Sequence, residues 1–169
     1  MNDTDIPVPF SGIRRGDGGC YMVIADGSDE FSIASYYAAR IAIARRASIA
    51  IAHITDINDF MHWGKVENLI RNDMRHQAEK DVWQAAKEIH EDHNIFSCVY
   101  IREGQPVDKI VEIIEEEKNI RAIILAGSTS THNPGPLVSY FSGKGMGRLR
   151  IPVIIVPGHL DKEAINAIT

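Results

Sequence analysis

The chain has 169 residues, 44 % hydrophobic and 24 % charged, which is enough for one domain with a proper core and short for two. Its formal net charge of −5 argues against nucleic acid as a main partner, because a phosphate backbone rewards clustered lysine and arginine. The local basic spots, Arg14 with Arg15 and Lys144 with Arg148 and Arg150, read as solvated surface.

Residues 1–19 form a polar leader with Pro7, Pro9, Gly12, Gly16, Gly18 and Gly19, expected to be flexible. The leader has no apolar run of signal-peptide length, and no stretch approaches the roughly 20 apolar residues of a membrane span. Neither secretion nor a membrane partner is expected. Cys20 and Cys98 have no metal-ligand spacing and sit in apolar, strand-like runs. They read as reduced core or near-core thiols, which implies a reducing, cytoplasmic setting.

From residue 20 onward the pattern alternates strand and helix. Residues 20–25 are a short apolar run that ends in the turn Asp26-Gly27-Ser28. Ser28 to Glu30 look like a helix start, with a capping hydroxyl and acids in the first turn, and the helix is expected to run to about Arg46. Residues 48–54 form a second strand, and 56–63 a polar-aromatic connection containing Phe60 and Trp63. Val66, Leu69, Ile70, Met74, Ala78, Val82, Ala85 and Ile89 recur at three- and four-residue steps, the signature of a long amphipathic helix.

A third strand is expected over 95–101, and Gly104-Gln105-Pro106 turns it into a helix with Val107, Ile110, Val111 and Ile114 on one face. The acids Glu115 to Glu117 oppose the helix dipole at its C-terminal end and read as solvated. Residues 122–126 are the most hydrophobic strand and lead into Gly127-Ser128-Thr129-Ser130-Thr131. After Asn133-Pro134-Gly135, a short helix is expected over about 136–146. Residues 151–156 form a fifth strand, marked as an edge by Pro152, and 158–169 a partly ordered tail.

Such alternation implies parallel strands joined by right-handed crossovers. The expectation is an α/β fold with an open, doubly wound, five-stranded parallel sheet whose ligand crevice lies at the carboxyl ends of the strands. Here those ends are Asp26-Gly27-Ser28 and Gly127-Ser128-Thr129.

Five segments, in this order, resemble the universal stress protein family over residues 20–157. They are Val23-Ile24-Ala25-Asp26-Gly27-Ser28, Ala52-His53-Ile54, Arg102-Glu103-Gly104-Gln105-Pro106, Ile123-Ile124-Leu125-Ala126-Gly127-Ser128 and Ile151-Pro152-Val153-Ile154-Ile155-Val156. The resemblance implies the strand order 3-2-1-4-5 with helices on both faces. It also implies a cytoplasmic, stress-linked homodimer joined through fifth strands, here Val153, Ile154, Ile155 and Val156. Some members bind ATP, so an adenine nucleotide, with Mg as a companion ion, is the implied ligand.

The family's ATP-binding members share Gly-x-x-Gly, nine further residues, then Gly-Ser or Gly-Thr. Glycines there let backbone N–H groups approach phosphate oxygens. Gly127 matches the first position, but Ser130 stands at the second, and Ser142-Gly143 arrive late for the final pair. Two readings remain open: a phosphate loop in which Ser128, Ser130 and their neighbours supply hydroxyl donors, or an ordinary turn-rich connection. The resemblance implies that Asp26 faces the adenine and ribose end and that Ile54 lies against the base. The alternatives are a helix-capping acid and a core residue.

Asp29 and Glu30 repel phosphates, so a triphosphate is expected toward Gly127 and Gly143. Among the seven histidines, His90 and His93 are a helical turn apart and His62 adjoins Trp63, but no third ligand appears at a telling spacing, so no metal site is expected. Ser128 and Ser142 lack a nucleophile elbow, and no adenylyl-transferase signature is present, so no catalytic residue is assigned and at most weak ATP hydrolysis is expected. The alternative to a nucleotide-binding regulator is a nucleotide-free interaction module of the same fold.

Overall fold

A strand buried on both faces must be apolar nearly throughout, and Cys20–Ile24 (β1) meets that condition. In the computed structural model, which describes residues 18–56 and 67–169, β1 is the central strand. Residues 1–17 of the leader, Phe60, Trp63 and His62 lie outside the described residues. The other strands are β2 (Ser48–Thr55), β3 (Ser97–Glu103), β4 (Ile120–Gly127) and β5 (Val153–Pro157). All pairings are parallel, in the order β3-β2-β1-β4-β5. The sheet is the one the alternation and the resemblance imply.

Helices α1 (Phe31–Arg45), α2 (Glu67–His93), α3 (Pro106–Glu116), α4 (Pro136–Phe141) and α5 (Lys162–Ile168) cover its two faces. On one face α1 and α2 pack Ala34, Ala38, Ala42, Val82 and Ile89 against Val23, Ile51 and Ile124. The alanines carry the close approach: a helix with only methyl groups facing the sheet lies down on it without side chains holding it off. On the other face α3 and α4 pack Ile110, Ile113, Ile114, Val138 and Phe141 against Met22, Ile24, Ala52 and Ile123. Chain direction therefore changes face between the loop after β1 and the loop after β4.

Several boundaries differ from the sequence expectation. Helix α1 begins at Phe31, and its N-cap is Glu30, with no side-chain capping bond. The Ser28 hydroxyl donates instead to Asp26 Oδ1 at 2.6 Å, so it closes the turn and does not cap the helix. Strand β3 starts two residues later than expected because Asn94, at φ 55°, ends the preceding helix with its N–H on the His90 carbonyl. Helix α4 stops at Phe141 rather than near Met146.

The segment expected as a partly ordered tail is a docked helix. Asp161 caps α5 by accepting the Ala164 N–H at 2.7 Å, Ile165 is fully buried, and Asn166 Oδ1 accepts the Tyr36 hydroxyl of α1. The basic pair Arg148 and Arg150 is engaged rather than merely solvated. Arg148 reaches Asp108 at 2.8 Å, and Arg150 donates to the carbonyls of Ile114 and Glu117 at the end of α3. Arginine there satisfies orphan helix carbonyls and offsets the misplaced acids Glu115 to Glu117.

If α5 is part of the fold, Ile165→Ala lowers stability by about 2–5 kcal/mol, the usual range for emptying a buried aliphatic site. Urea unfolding with an unchanged slope measures this, and a loose tail would leave the midpoint where it was.

Candidate functional site

The strand registers decide which loop residues meet. Ile24 pairs with Ala52 on β2, and Val23 pairs with Ile124 on β4. Carried past the strand ends, these registers set Ile54, Asp26 and Gly127 in one row across three neighbouring strands. At a spacing of roughly 4.8 Å between strands the row spans about 10 Å, the length of a nucleoside. The Ala25 N–H donating to the Ala52 carbonyl at 2.8 Å continues the pairing to the loop. His53 locks the same corner, its Nδ1 donating to the Ala25 carbonyl at 2.8 Å, which fixes the Nδ1–H tautomer. Sequence reasoning did not single out His53. Its position one residue before Ile54 on the opposite face of β2 is the only signal.

Asp26 is exposed, and its Oδ1 accepts both the Ser28 N–H at 3.0 Å and the Ser28 hydroxyl. This Asx turn needs the left-handed Gly27, at φ 78°, and among the described residues leaves Oδ2 available to a ligand. Ile54 is buried with Ile24 and Leu125 on the α3/α4 face, so it supplies an apolar floor beneath the row.

The loop after β4 is closed on itself. Ser128 N–H donates to the Pro134 carbonyl, Ser130 N–H to Ser128 Oγ, and His132 N–H to Ser130 Oγ. A further amide of the loop crosses the crevice: Thr129 donates its N–H at 3.0 Å and its hydroxyl at 3.1 Å to Glu30 Oε1. The Thr129 N–H in particular holds the Glu30 carboxyl below its ordinary value. Glu30, expected only to repel phosphate, thus bridges the loop after β1 to the loop after β4.

Ser142 and Gly143 lie elsewhere in this arrangement. They follow the C-terminal end of α4, where Ser142 N–H is bonded to the Val138 carbonyl and Gly143 N–H to the Tyr140 carbonyl. Neither amide is available to an anion, and the nearby helix end is the electronegative one.

The universal stress protein family model matches residues 22–157. The chain belongs to the universal stress protein family. Among solved structures it is similar to the universal stress protein UspA from Lactobacillus plantarum, at 19 % identity and TM-score 0.69, over 82 % of this chain and 97 % of that one. It is also similar to a universal stress protein in complex with cAMP, at 21 % identity and TM-score 0.58, over 83 % and 97 %. A third is the universal stress protein from Archaeoglobus fulgidus in complex with dAMP, at 16 % identity and TM-score 0.53, over 81 % and 95 %. These likenesses concern the fold. A search of curated proteins finds no significant match.

In this universal stress protein the remaining chemistry-bearing residues serve packing. His90 stacks on Phe96 at 4.2 Å and His93 lies against Tyr36 at 5.5 Å. No group of three metal-ligating side chains occurs among the described residues. Burial pushes the Cys20 thiol up to about 12 and the Cys98 thiol upward as well, so neither is a ready nucleophile.

Gly127 itself has a packing reason to be glycine. A Cβ there would lie 3.2 Å from the Ile155 side chain and 3.3 Å from the Val156 carbonyl. Gly127→Val therefore strains the β4–β5 contact and should destabilise the protein by about 1–3 kcal/mol, the usual cost of overpacking. A thermal melt of Gly127→Ala and Gly127→Val should show a graded loss. No loss in either would mean the strand edge yields freely.

Proposed function

We propose that this universal stress protein is a cytoplasmic, dimeric regulatory protein that binds an adenine nucleotide in the crevice between β1 and β4. The supporting observation is the row Ile54–Asp26–Gly127 at the point where the chain changes face, where doubly wound folds hold ligands. The base would rest over Ile54, and the Asp26 carboxylate would accept from a ribose hydroxyl or the exocyclic amine. The phosphate end would lie toward Gly127, Ser128 and Ser130. The similar structures in complex with cAMP and dAMP favour an adenine ligand.

The reading is binding, not catalysis. The Ser128 and Ser130 hydroxyls accept from loop amides, and no described histidine or carboxylate is bonded to either of them as a base. A bound triphosphate would bring Mg with it through its own oxygens, with Asp26 the nearest carboxylate of the row. The second reading, a nucleotide-free interaction module, is favoured by the closed loop after β4, in which the Ser128, Thr129, Ser130 and His132 amides already have acceptors.

Isothermal titration with AMP separates the two. Binding in the parent protein and a loss of about tenfold or more in Asp26→Ala, a charge-assisted hydrogen bond's worth, is the expected outcome. No heat, together with no 260 nm-absorbing compound released from the purified protein, would leave the interaction module standing.

The dimer is proposed through β5, one of the two edge strands of the sheet. An unpaired apolar edge is a template for a second strand, and two copies cover each other about a two-fold axis. Val153 and Ile154 are half-buried and Val156 is buried, whereas Ile155 is 40 % exposed. Ile155→Lys is thus a cleaner probe than Ile154→Lys, which would also disturb the core. Light scattering after size exclusion should move from dimer to monomer in Ile155→Lys. A variant that stays dimeric would move the interface off this strand.

A further inference from the structure

The contact between Glu30 and Thr129 is the one feature of the crevice that neither the fold nor the nucleotide reading requires. Glu30 is the N-cap residue of α1, yet its side chain makes no capping bond. It reaches across the mouth and takes both donors of Thr129 on a single oxygen. Its path is cleared by Gly158: a Cβ at that position would run into the Glu30 side chain and would lie 2.6 Å from the Gly127 carbonyl. Gly158 is itself held there by its N–H donating to that carbonyl at 2.8 Å. Three elements therefore converge to hold a carboxylate on the backbone N–H two residues beyond β4, at the end of the row where a phosphate would sit.

Among aspartate, glutamate, lysine and arginine, the loops after β1 and β4 carry one sign. Asp26, Asp29 and Glu30 stand in the loop after β1, and neither residues 25–39 nor residues 122–143 include a lysine or arginine. A triphosphate entering the row would displace Glu30 from Thr129 or lie against it, with no cation from either loop to offset the repulsion. A nucleoside occupies the Ile54–Asp26 part of the row and brings no charge to the Thr129 end, whereas a phosphate carries negative charge toward it.

We propose that Glu30 acts as a built-in anion at the phosphate end of the crevice, selecting adenine ligands that place little charge at Thr129, the nucleoside above all, over triphosphates. This deepens the nucleotide reading and rests on it. The carboxylate does electrostatically what a bound phosphate would do, and it occupies the same donors.

Titrating adenosine, AMP and Mg-ATP into the parent protein, Glu30→Gln and Glu30→Ala tests this. The glutamine variant keeps a neutral acceptor of nearly the same shape for Thr129, and the alanine variant removes the strap. Far-ultraviolet dichroism and a melt check that each is folded. The parent is expected to bind adenosine more tightly than either AMP or Mg-ATP. In both variants Mg-ATP affinity should rise about tenfold or more relative to adenosine, the scale of one like-charge contact near a protein surface. Added salt should narrow the gap in the parent more than in Glu30→Gln, where Asp26 and Asp29 remain.

A parent protein that prefers Mg-ATP overturns the proposal, as does an ATP-to-adenosine ratio that stays within about twofold in both variants. A gain confined to Glu30→Ala also overturns it, since that would mark a steric strap and not a charge. If none of the three proteins binds any of the three ligands, the nucleotide reading itself falls and this inference falls with it. Adenosine binding in the parent thus reports on the reading, and the ATP-to-adenosine ratio reports on Glu30.

Discussion

Parallel pairing of β1 with neighbours on both sides is the constraint from which the rest of the molecule follows. A parallel neighbour can be reached only by a crossover over one face, and the crossover hand is fixed by strand twist. The chain first moves outward from β1 to β2 and β3 with α1 and α2 on one face. It then returns past β1 to β4 and β5 with α3 and α4 on the other. The loops after β1 and β4 must therefore part to opposite faces, and a crevice opens between them. Nothing in that opening depends on which residues occupy the loops.

What the loops contain decides how the crevice behaves. A glycine-rich loop would leave its amides pointing at a ligand, whereas here two serine hydroxyls accept from neighbouring amides and fold the loop onto itself. Ser130 in place of glycine belongs to that closure, since its hydroxyl accepts from His132. Glu30 then takes the amide that faces across the mouth. The crevice of this family member is thus shaped with an anion already in it. The same few bonds tie α1, the β4 loop and the end of β5 together, so the contacts that place the Glu30 carboxylate also brace the mouth of the crevice.

Away from the crevice, the chain answers each local electrostatic conflict with a residue distant in sequence. The acids at the end of α3 face the negative pole of their own helix, and Arg150, 33 to 36 residues away, donates to its last carbonyls. The α1 face left uncovered by α2 receives α5, whose Lys162 lies 4.9 Å from the centre of the Tyr36 ring. These are tertiary repairs of positions that look unfavourable when read one element at a time.

Hydrophobic periodicity, strand-bounding turns and the ordered family segments determined the sheet, its order and the location of the crevice from sequence alone. Those features depend on patterns within about ten residues and on handedness rules common to all such folds. Asp26, Ile54 and Gly127 were legible for the same reason, because each closes a recognisable strand. The sequence did not reveal that the Ser142 and Gly143 amides belong to the end of α4, because helix length there is set by how Phe141 packs into the core. Nor did it reveal that residues 162–168 dock as a helix, since seven residues have too little periodicity to declare a buried face. The partnership of Glu30 with Thr129 spans 99 residues, and Gly127 is glycine because Val156 and Ile155 approach it. Only the tertiary structure could decide these, because each is a distance between segments that no local pattern encodes.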